Sequence, residues 1–267
     1  MKRPAAISDT LVITRALRRQ TTVRAPASLA PAVLRRVGLA DVYWRLDSPI
    51  GALHVAQGPA GISLVRRAGY RPASGFERDF QRRLGRPVYP ASRPPSAALR
   101  RAVSGKGLRE DRRVRFDLRR LTDFESAVLR KALEIPAGQV RPYGWIAREI
   151  GRPEAGRAAG SALAKNPLPI LIPCHRVVRT DGKIGDYIFG SAFKRALLRS
   201  EGASPEGLEE LAASGIRYLG SESGRYFCLP SCGGFESLRQ SNRVPFRSAR
   251  QALEAGFLPC EDCRPAA

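Results

Sequence analysis

The chain has 267 residues, 43% of them hydrophobic, enough for two ordinary domains or one domain with a small module. Its 46 Lys and Arg against 24 Asp and Glu give a net charge of +22, which points to a polyanionic partner such as nucleic acid. No apolar run approaches the roughly 20 residues of a membrane helix, and the basic start "MKRPAAISDTLVITRALRRQ" has no apolar stretch of signal-peptide length, so a cytoplasmic protein without membrane contact is expected.

The charge is regional. Residues 1–120 carry a net +18, residues 121–202 a net +5 and residues 203–267 a net −1. Only six of the 46 basic residues are Lys, so a general arginine bias is the competing explanation of the excess. Cysteine is regional too. None precedes Cys174, and Cys228, Cys232, Cys260 and Cys263 fall in the last 40 residues, unlike the framework of a disulfide-stapled secreted domain.

In chain order, residues 1–40 form an extension with one short helix expected at "SLAPAVLRRVGL". A mixed α/β region follows over 41–120. "ALHVA" and "GISLV" read as strands joined by a turn at Gly58-Pro59 and Gly61. "SGFERDFQRRLG" reads as a helix with Ser74 as cap and Gly85 as stop, "YPASRPPSAA" as a breaker, and "REDRRVRFDLR" as a further strand.

A new pattern starts at Thr122. Glu125 three residues later completes a capping box, and Phe124, Val128, Leu129 and Leu133 follow at helical spacing up to Pro136 and Gly138. The spacing then predicts a helix over 143–150, a turn at 151–153 and a second helix over 154–165, which is a helix-turn-helix. Gly156, Ala158, Ala159, Gly160, Ser161 and Ala162 strip the second helix of bulk, with Arg157 projecting among them. That suits either tight packing on a core or entry into a minor groove only about 6 Å wide. "SEGASPEGLEELAASGIR" reads as a linker helix over 203–217, leaving 218–267 as a cysteine module.

In "NPLPILIPCHRVVRTDG" an apolar run ends on Cys174 with His175 beside it. A thiol with an ordinary pKa near 8.5 is only a few per cent thiolate at neutral pH, and an imidazole or a relayed base raises that fraction. The thiolate is a soft nucleophile suited to attack on carbon. The competing reading of an isolated Cys-His pair is a buried structural cysteine. Cys228 and Cys232, with Cys260 and Cys263, form two close pairs with structural zinc spacing. Reduced core cysteines, or a redox pair at Cys260 and Cys263, are the other readings. A module of this size has too little core to stand without a metal or crosslinks.

The Pro-Cys-His-Arg-Val block, with "GRPEAGRAAGSALAKNP" before it and "YIFGSAFKRALLRSEG" after it, resembles the O6-alkylguanine-DNA alkyltransferase family from about Thr122 to Gly202. The likeness reaches back more weakly to "DSPIGALHVA". It implies a ribonuclease-H-like domain over 41–120 and a winged helix-turn-helix catalytic domain over 121–202. It further implies that Cys174 accepts an alkyl group irreversibly, that His175 deprotonates it through a water, and that Glu201 orients His175. Tyr143 would rotate the target nucleotide and Arg157 would fill the gap in the stack, with Ala158, Gly160 and Arg176 completing the DNA-facing set. Asn166 would brace the active-site turn, and Tyr187, Val177 and Ile188 would line the base pocket. Where the family has small residues after the pocket tyrosine, this chain has Ile188 and Phe189, so methyl is the expected adduct.

The segment "RYLGSESGRYFCLPSC", together with "NRVPFRSARQALEAGFLPCEDCRP", resembles the zinc domain of the Ada protein. That likeness implies zinc on Cys228, Cys232, Cys260 and Cys263, with Cys228 also accepting methyl from DNA phosphotriesters. Ser223-Gly224 replaces the threonine pair that the family places before that cysteine. The expected whole is a monomeric, single-turnover repair protein acting on double-stranded DNA that carries O6-alkylguanine. The rivals are a non-catalytic damage-recognition protein, which needs no nucleophile, and a zinc-dependent DNA-binding regulator, for which no activating segment separates the two cysteine sites.

Overall fold

The computed structural model describes residue 26 and residues 28–69, 73–104, 114–235 and 240–265. Among the described residues the first element is helix α1 (Leu29–Arg36), as expected, followed by β1 (Asp41–Leu46), β2 (Leu53–Gly58) and β3 (Gly61–Arg67). Helix α2 (Ala73–Leu84), β4 (Val88–Pro90) and α3 (Ala97–Val103) follow. The sheet order is β3-β2-β1-β4, with β4 parallel to β1 and the other pairs antiparallel. Gly61 has φ +131°, and a Cβ there would lie 2.4 Å from the Arg115 carbonyl oxygen, so only glycine allows this close turn.

Both faces of this sheet are covered. Ala56 and Leu64 pack on Phe76 and Phe80 of α2, while Leu53, Val55, Ile62 and Val65 join a core that continues into the second half of the chain. The Val65 amide donates to the Pro167 carbonyl at 2.8 Å, tying β3 to the segment that leads into Cys174. At the start of β1 the buried Asp41 carboxylate is gripped by Arg86 at 2.8 and 3.0 Å and by Ser63 at 2.5 Å.

Two expectations for this region change. Ser74 lies inside α2 rather than capping it, because the helix already starts at Ala73. The strand expected over 109–119 is absent among its described residues: 109–113 lie outside them, and the rest contributes one isolated bridge, Phe116 to Ile62.

The segment that starts at Thr122 opens with α4 (Asp123–Ala132), whose capping box is complete. The Thr122 side chain accepts from the Glu125 amide at 3.2 Å, and Glu125 accepts from the Thr122 amide at 3.0 Å. Such a cap contributes about 1 kcal/mol. β5 (Arg141–Pro142) leads directly into α5 (Tyr143–Glu149), and α6 (Gly156–Ala164) follows. Glu154 and Ala155, expected as the start of the second helix, belong instead with Pro153 to a separate 3₁₀ turn. β6 (Val177–Val178) pairs in parallel with β5, Arg141 opposite Val177. α7 (Ser191–Ser200) closes the segment.

The expected linker helix is α8 (Pro205–Ala213), but it is packed rather than spanning. Ala203 and Leu208 rest against Val140, Val178, Ile184 and Leu198. The module beyond it has more structure than its cysteines announced. β7 (Tyr218–Ser221), β8 (Tyr226–Cys228), β9 (Arg243–Phe246), α9 (Ala249–Glu254) and β10 (Leu258–Pro259) form a sheet of order β10-β8-β7-β9 around Phe227, Phe246 and Phe257. No helix among the described residues is long and apolar enough to cross a membrane.

Candidate active site and metal centre

Leu168, Ile170, Leu171 and Ile172 are all buried, so the apolar run anchors the turn that presents Cys174. Ile170 takes φ +74°, a left-handed conformation rare for a β-branched residue and held only where the surroundings over-determine it. Asn166 provides much of that determination. Fully buried, it donates to the Ile172 carbonyl at 3.0 Å and to Cys174 Sγ at 3.1 Å, and its Oδ1 accepts from the Leu168 amide at 2.9 Å.

Cys174 is 7% exposed, and burial pushes its thiol up to about 11, against the opposing pull of the Asn166 hydrogen bond and the Lys194 charge. At neutral pH it is therefore a thiol that needs a base. His175, next in the chain, is fully buried; burial lowers its pKa and outweighs the opposing effect of Glu201. Nε2 lies 2.8 Å from Glu201 Oε1, while Nδ1 is buried without a hydrogen-bond partner in the described protein. A neutral imidazole donating from Nε2 to a carboxylate carries its lone pair on Nδ1. Burial alone would raise the Glu201 carboxyl, but hydrogen bonds and charge from His175 and Arg176 hold it at about 2. Arg176 grips that carboxylate at 2.9 and 2.8 Å and donates to the Ile135 carbonyl at 2.6 Å. Arg176 is thus engaged inside the protein rather than presented to a partner.

Cys174 opens onto a cleft of about 1220 Å³ walled by both helices of the α5–α6 pair and by the 179–188 loop. Tyr143, Arg157, Gly160, Tyr187 and Ile188 all line it. Burial raises the Tyr143 hydroxyl, with the Cys174 and Asp186 charges adding to it, so it remains a proton donor. Gly160 of α6 faces the Tyr143 ring, which a Cβ there would meet at 3.7 Å, an ordinary van der Waals contact. Arg157 and Ala158 are exposed on α6. Ile188 is 40% exposed at the mouth, and the Tyr187 hydroxyl is buried with no hydrogen-bond partner among the described residues. Val177 is buried and faces the cleft with no part of its side chain; its carbonyl accepts from Lys194.

Lys194 was missed from the sequence. It is fully buried on α7, and its ammonium donates to the carbonyls of Val177, Ile184 and Asp186 at 2.7, 2.6 and 3.2 Å. Burial lowers its pKa to about 8, so it holds the loop around the cleft as a cation near Cys174. The available signal was a lysine in a chain that otherwise uses arginine, placed three and four residues before the buried Leu197 and Leu198.

The sulfurs of Cys228, Cys232, Cys260 and Cys263 all lie within 4.8 Å of one another. Zinc–sulfur bonds of about 2.3 Å set tetrahedral sulfurs about 3.8 Å apart, so these residues fit a closed four-thiolate zinc site. The Leu229 amide already points at Cys263 Sγ from 3.4 Å. Cys228, Cys232 and Cys263 are buried and Cys260 is partly exposed.

Residues 123–203 match the family model of the 6-O-methylguanine DNA methyltransferase DNA binding domain, and residues 209–266 match that of the metal binding domain of Ada. Methylated-DNA–protein-cysteine methyltransferases are similar to the chain. That of Methanosarcina acetivorans is 45% identical over 82 residues, 31% of this chain and 53% of that protein. That of Mycobacterium tuberculosis H37Rv is 49% identical over 88 residues, 33% and 53% respectively. The chain thus spans about half the length of the curated relatives it matches. A crystal structure of Mycobacterium tuberculosis OGT in complex with DNA is 36% identical and aligns over 60% of this chain and 93% of that one, with a TM-score of 0.48. The chain thus carries, one after the other, a segment that matches the 6-O-methylguanine DNA methyltransferase DNA binding domain and a segment that matches the metal binding domain of Ada.

Proposed function

We propose that the chain repairs double-stranded DNA by moving the alkyl group of O6-alkylguanine, chiefly methyl, onto Cys174 in a single turnover. The observation that carries this reading is the chain of contacts Asn166–Cys174 and His175–Glu201–Arg176 at the floor of a cleft walled by a helix pair. A nucleophile with a base beside it, and a third group orienting the base, is the arrangement that activates a thiol. The cleft lies on the surface from which Arg157 projects, and a base held inside a duplex has to leave the stack to reach Cys174.

The chemistry balances without a cofactor. His175 Nδ1 takes the Cys174 proton through a bridging water while Glu201 accepts the Nε2 hydrogen bond and offsets the imidazolium charge. The sulfur attacks the alkyl carbon, one S–C bond forms, and the C–O6 bond breaks with its electron pair leaving on guanine. The Tyr143 hydroxyl supports protonation of the leaving base, which ends as ordinary guanine carrying the proton that the thiol gave up. The product thioether is not reversed, so each chain works once. Lys194 keeps the cleft loop fixed while a base enters.

The finer fold reading goes with this one: a ribonuclease-H-like domain over 41–120 and a winged helix-turn-helix domain over 121–202. Cys228, Cys232, Cys260 and Cys263 would hold zinc, whose contribution is to fold the module. Because Cys228 is fully buried, we read it as a metal ligand only and Cys174 as the acceptor. The test is to incubate the protein with duplex DNA labelled on the O6-methyl group and follow the label. Transfer to protein in a one-to-one burst without turnover supports the reading, and label retained on the DNA overturns it.

A further inference from the structure

We propose that Arg141, a residue of the catalytic segment, is the counter-cation of the zinc centre, so that metal loading of the C-terminal module and its docking against α5 stabilise each other. This rests on the four cysteines holding zinc and is independent of the alkyl-transfer reading.

Arg141 is 3% exposed. It donates to the Val140 carbonyl at 3.0 Å and to Gln139 Oε1 at 2.7 Å, and its Nε is buried with no partner among the described residues. It pairs with no carboxylate among the described residues. A buried guanidinium without a counter-charge is costly. The groups that supply one are the cysteines. Arg141 and Cys232 line the same cavity of about 430 Å³, beside Trp145, Gly233 and Asp262. Burial lowers the Arg141 pKa, and all four cysteine sulfurs act in the opposite direction. Four thiolates around one zinc ion carry about −2 in total, a charge that itself needs compensation in a buried site.

The module is seated on the same stretch by independent contacts. Trp145 Nε1 donates to the Cys263 carbonyl at 2.9 Å, in the interior. The Val140 amide donates to Ser231 Oγ at 2.8 Å, and that hydroxyl donates back to the Val140 carbonyl at 3.2 Å. Arg264 pairs with Glu149 at 2.8 Å. The guanidiniums of Arg141 and Arg264 lie 5.6 and 5.7 Å from the Trp145 ring centre. Ser231 precedes Cys232, and Arg264 follows Cys263, so both ligand-bearing turns are held by residues 134–149. Arg141 stands two residues before Tyr143 and opposite Val177 in β5–β6, so this docking surface continues into the wall of the Cys174 cleft.

The test uses the full zinc-loaded chain. Zinc release to a chromophoric chelator is timed for the wild type, Arg141→Lys and Arg141→Met, while amide hydrogen exchange of residues 139–145 is followed before and after chelation. Wild-type metal content, measured separately, reports on the centre itself. The expected result is release about tenfold faster for Arg141→Met, an intermediate rate for Arg141→Lys, and loss of exchange protection at 139–145 once zinc is removed. Equal release rates for the three proteins would overturn the proposal. So would an Arg141→Lys rate as fast as that of Arg141→Met, which would show that charge is not what matters, or unchanged protection at 139–145 after chelation.

Discussion

His175 Nε2 and Glu201 Oε1 lie 2.8 Å apart, although 26 residues of chain separate them, and Arg176 holds the same carboxylate through two further hydrogen bonds. The base beside Cys174 is thus fixed by the residue that follows α7.

These contacts give stability a pH dependence. The Glu201 carboxyl is held at about 2, below the ordinary carboxylate range, so its contribution is complete above about pH 4.5 and is lost as pH falls toward 2. Glu201→Gln leaves Arg176 without its partner and is expected to cost about 3 kcal/mol at neutral pH. It is also expected to flatten the acid limb between about pH 4.5 and 2. Denaturant unfolding of both proteins across that range measures both effects.

The reaction rate should follow His175. Burial lowers its pKa below the usual value of about 6.5, so the neutral imidazole persists on the acid side of neutrality. The single-turnover rate constant is expected to stay level as pH drops through 6.5 and to fall only below it. His175→Gln should remove that acid limb and slow transfer by about 100-fold. Rapid-quench measurements across pH distinguish this from a profile set by the thiol alone.

Arg157 is exposed at the rim of the cleft, where it contributes nothing to the core. Arg157→Ala is expected to leave stability within about 0.5 kcal/mol of the wild type. It should weaken repair in duplex DNA by about 10- to 100-fold, the worth of a single good recognition contact. Repair of a free modified base, which leaves no gap in a stack, should change far less. Rates on the two substrates, measured side by side, separate these roles.

Cys228 is 0% exposed, at the inner end of β8. When DNA carrying both O6-methylguanine and methyl phosphotriesters is supplied, peptide mapping is expected to find methyl on Cys174 and none on Cys228. Methyl on Cys228 would show that the module opens to DNA and is an acceptor in its own right.

How much of this was legible in the sequence depends on range. The capping box of Thr122 and Glu125, the α5–α6 pair and the buried run before Cys174 are local patterns, and period and turn chemistry expose them. The four cysteines declared themselves by spacing. Lys194 did not, because a buried lysine satisfied by three carbonyls has the same letter as a surface one. The Asp41–Arg86 pair, 45 residues apart, and the Trp145–Cys263 contact, 118 residues apart, are set by packing that no local window contains. The strand expected at 109–119 failed for the reverse reason. The stretch around Val114 and Phe116 reads as a strand, but among the described residues its backbone makes only one isolated bridge, from Phe116 to Ile62.

The central claim is that Cys174 takes an alkyl group from guanine O6 and keeps it. Intact-mass analysis of the full chain after incubation with excess duplex DNA bearing O6-methylguanine, followed by peptide mapping, tests it most directly, with Cys174→Ala alongside. The wild type should gain the mass of one CH₂ per chain and no more, located on Cys174, while Cys174→Ala gains nothing yet still binds the lesion DNA. Methyl transfer by Cys174→Ala, or methyl found on the wild type at any residue but Cys174, would contradict the account.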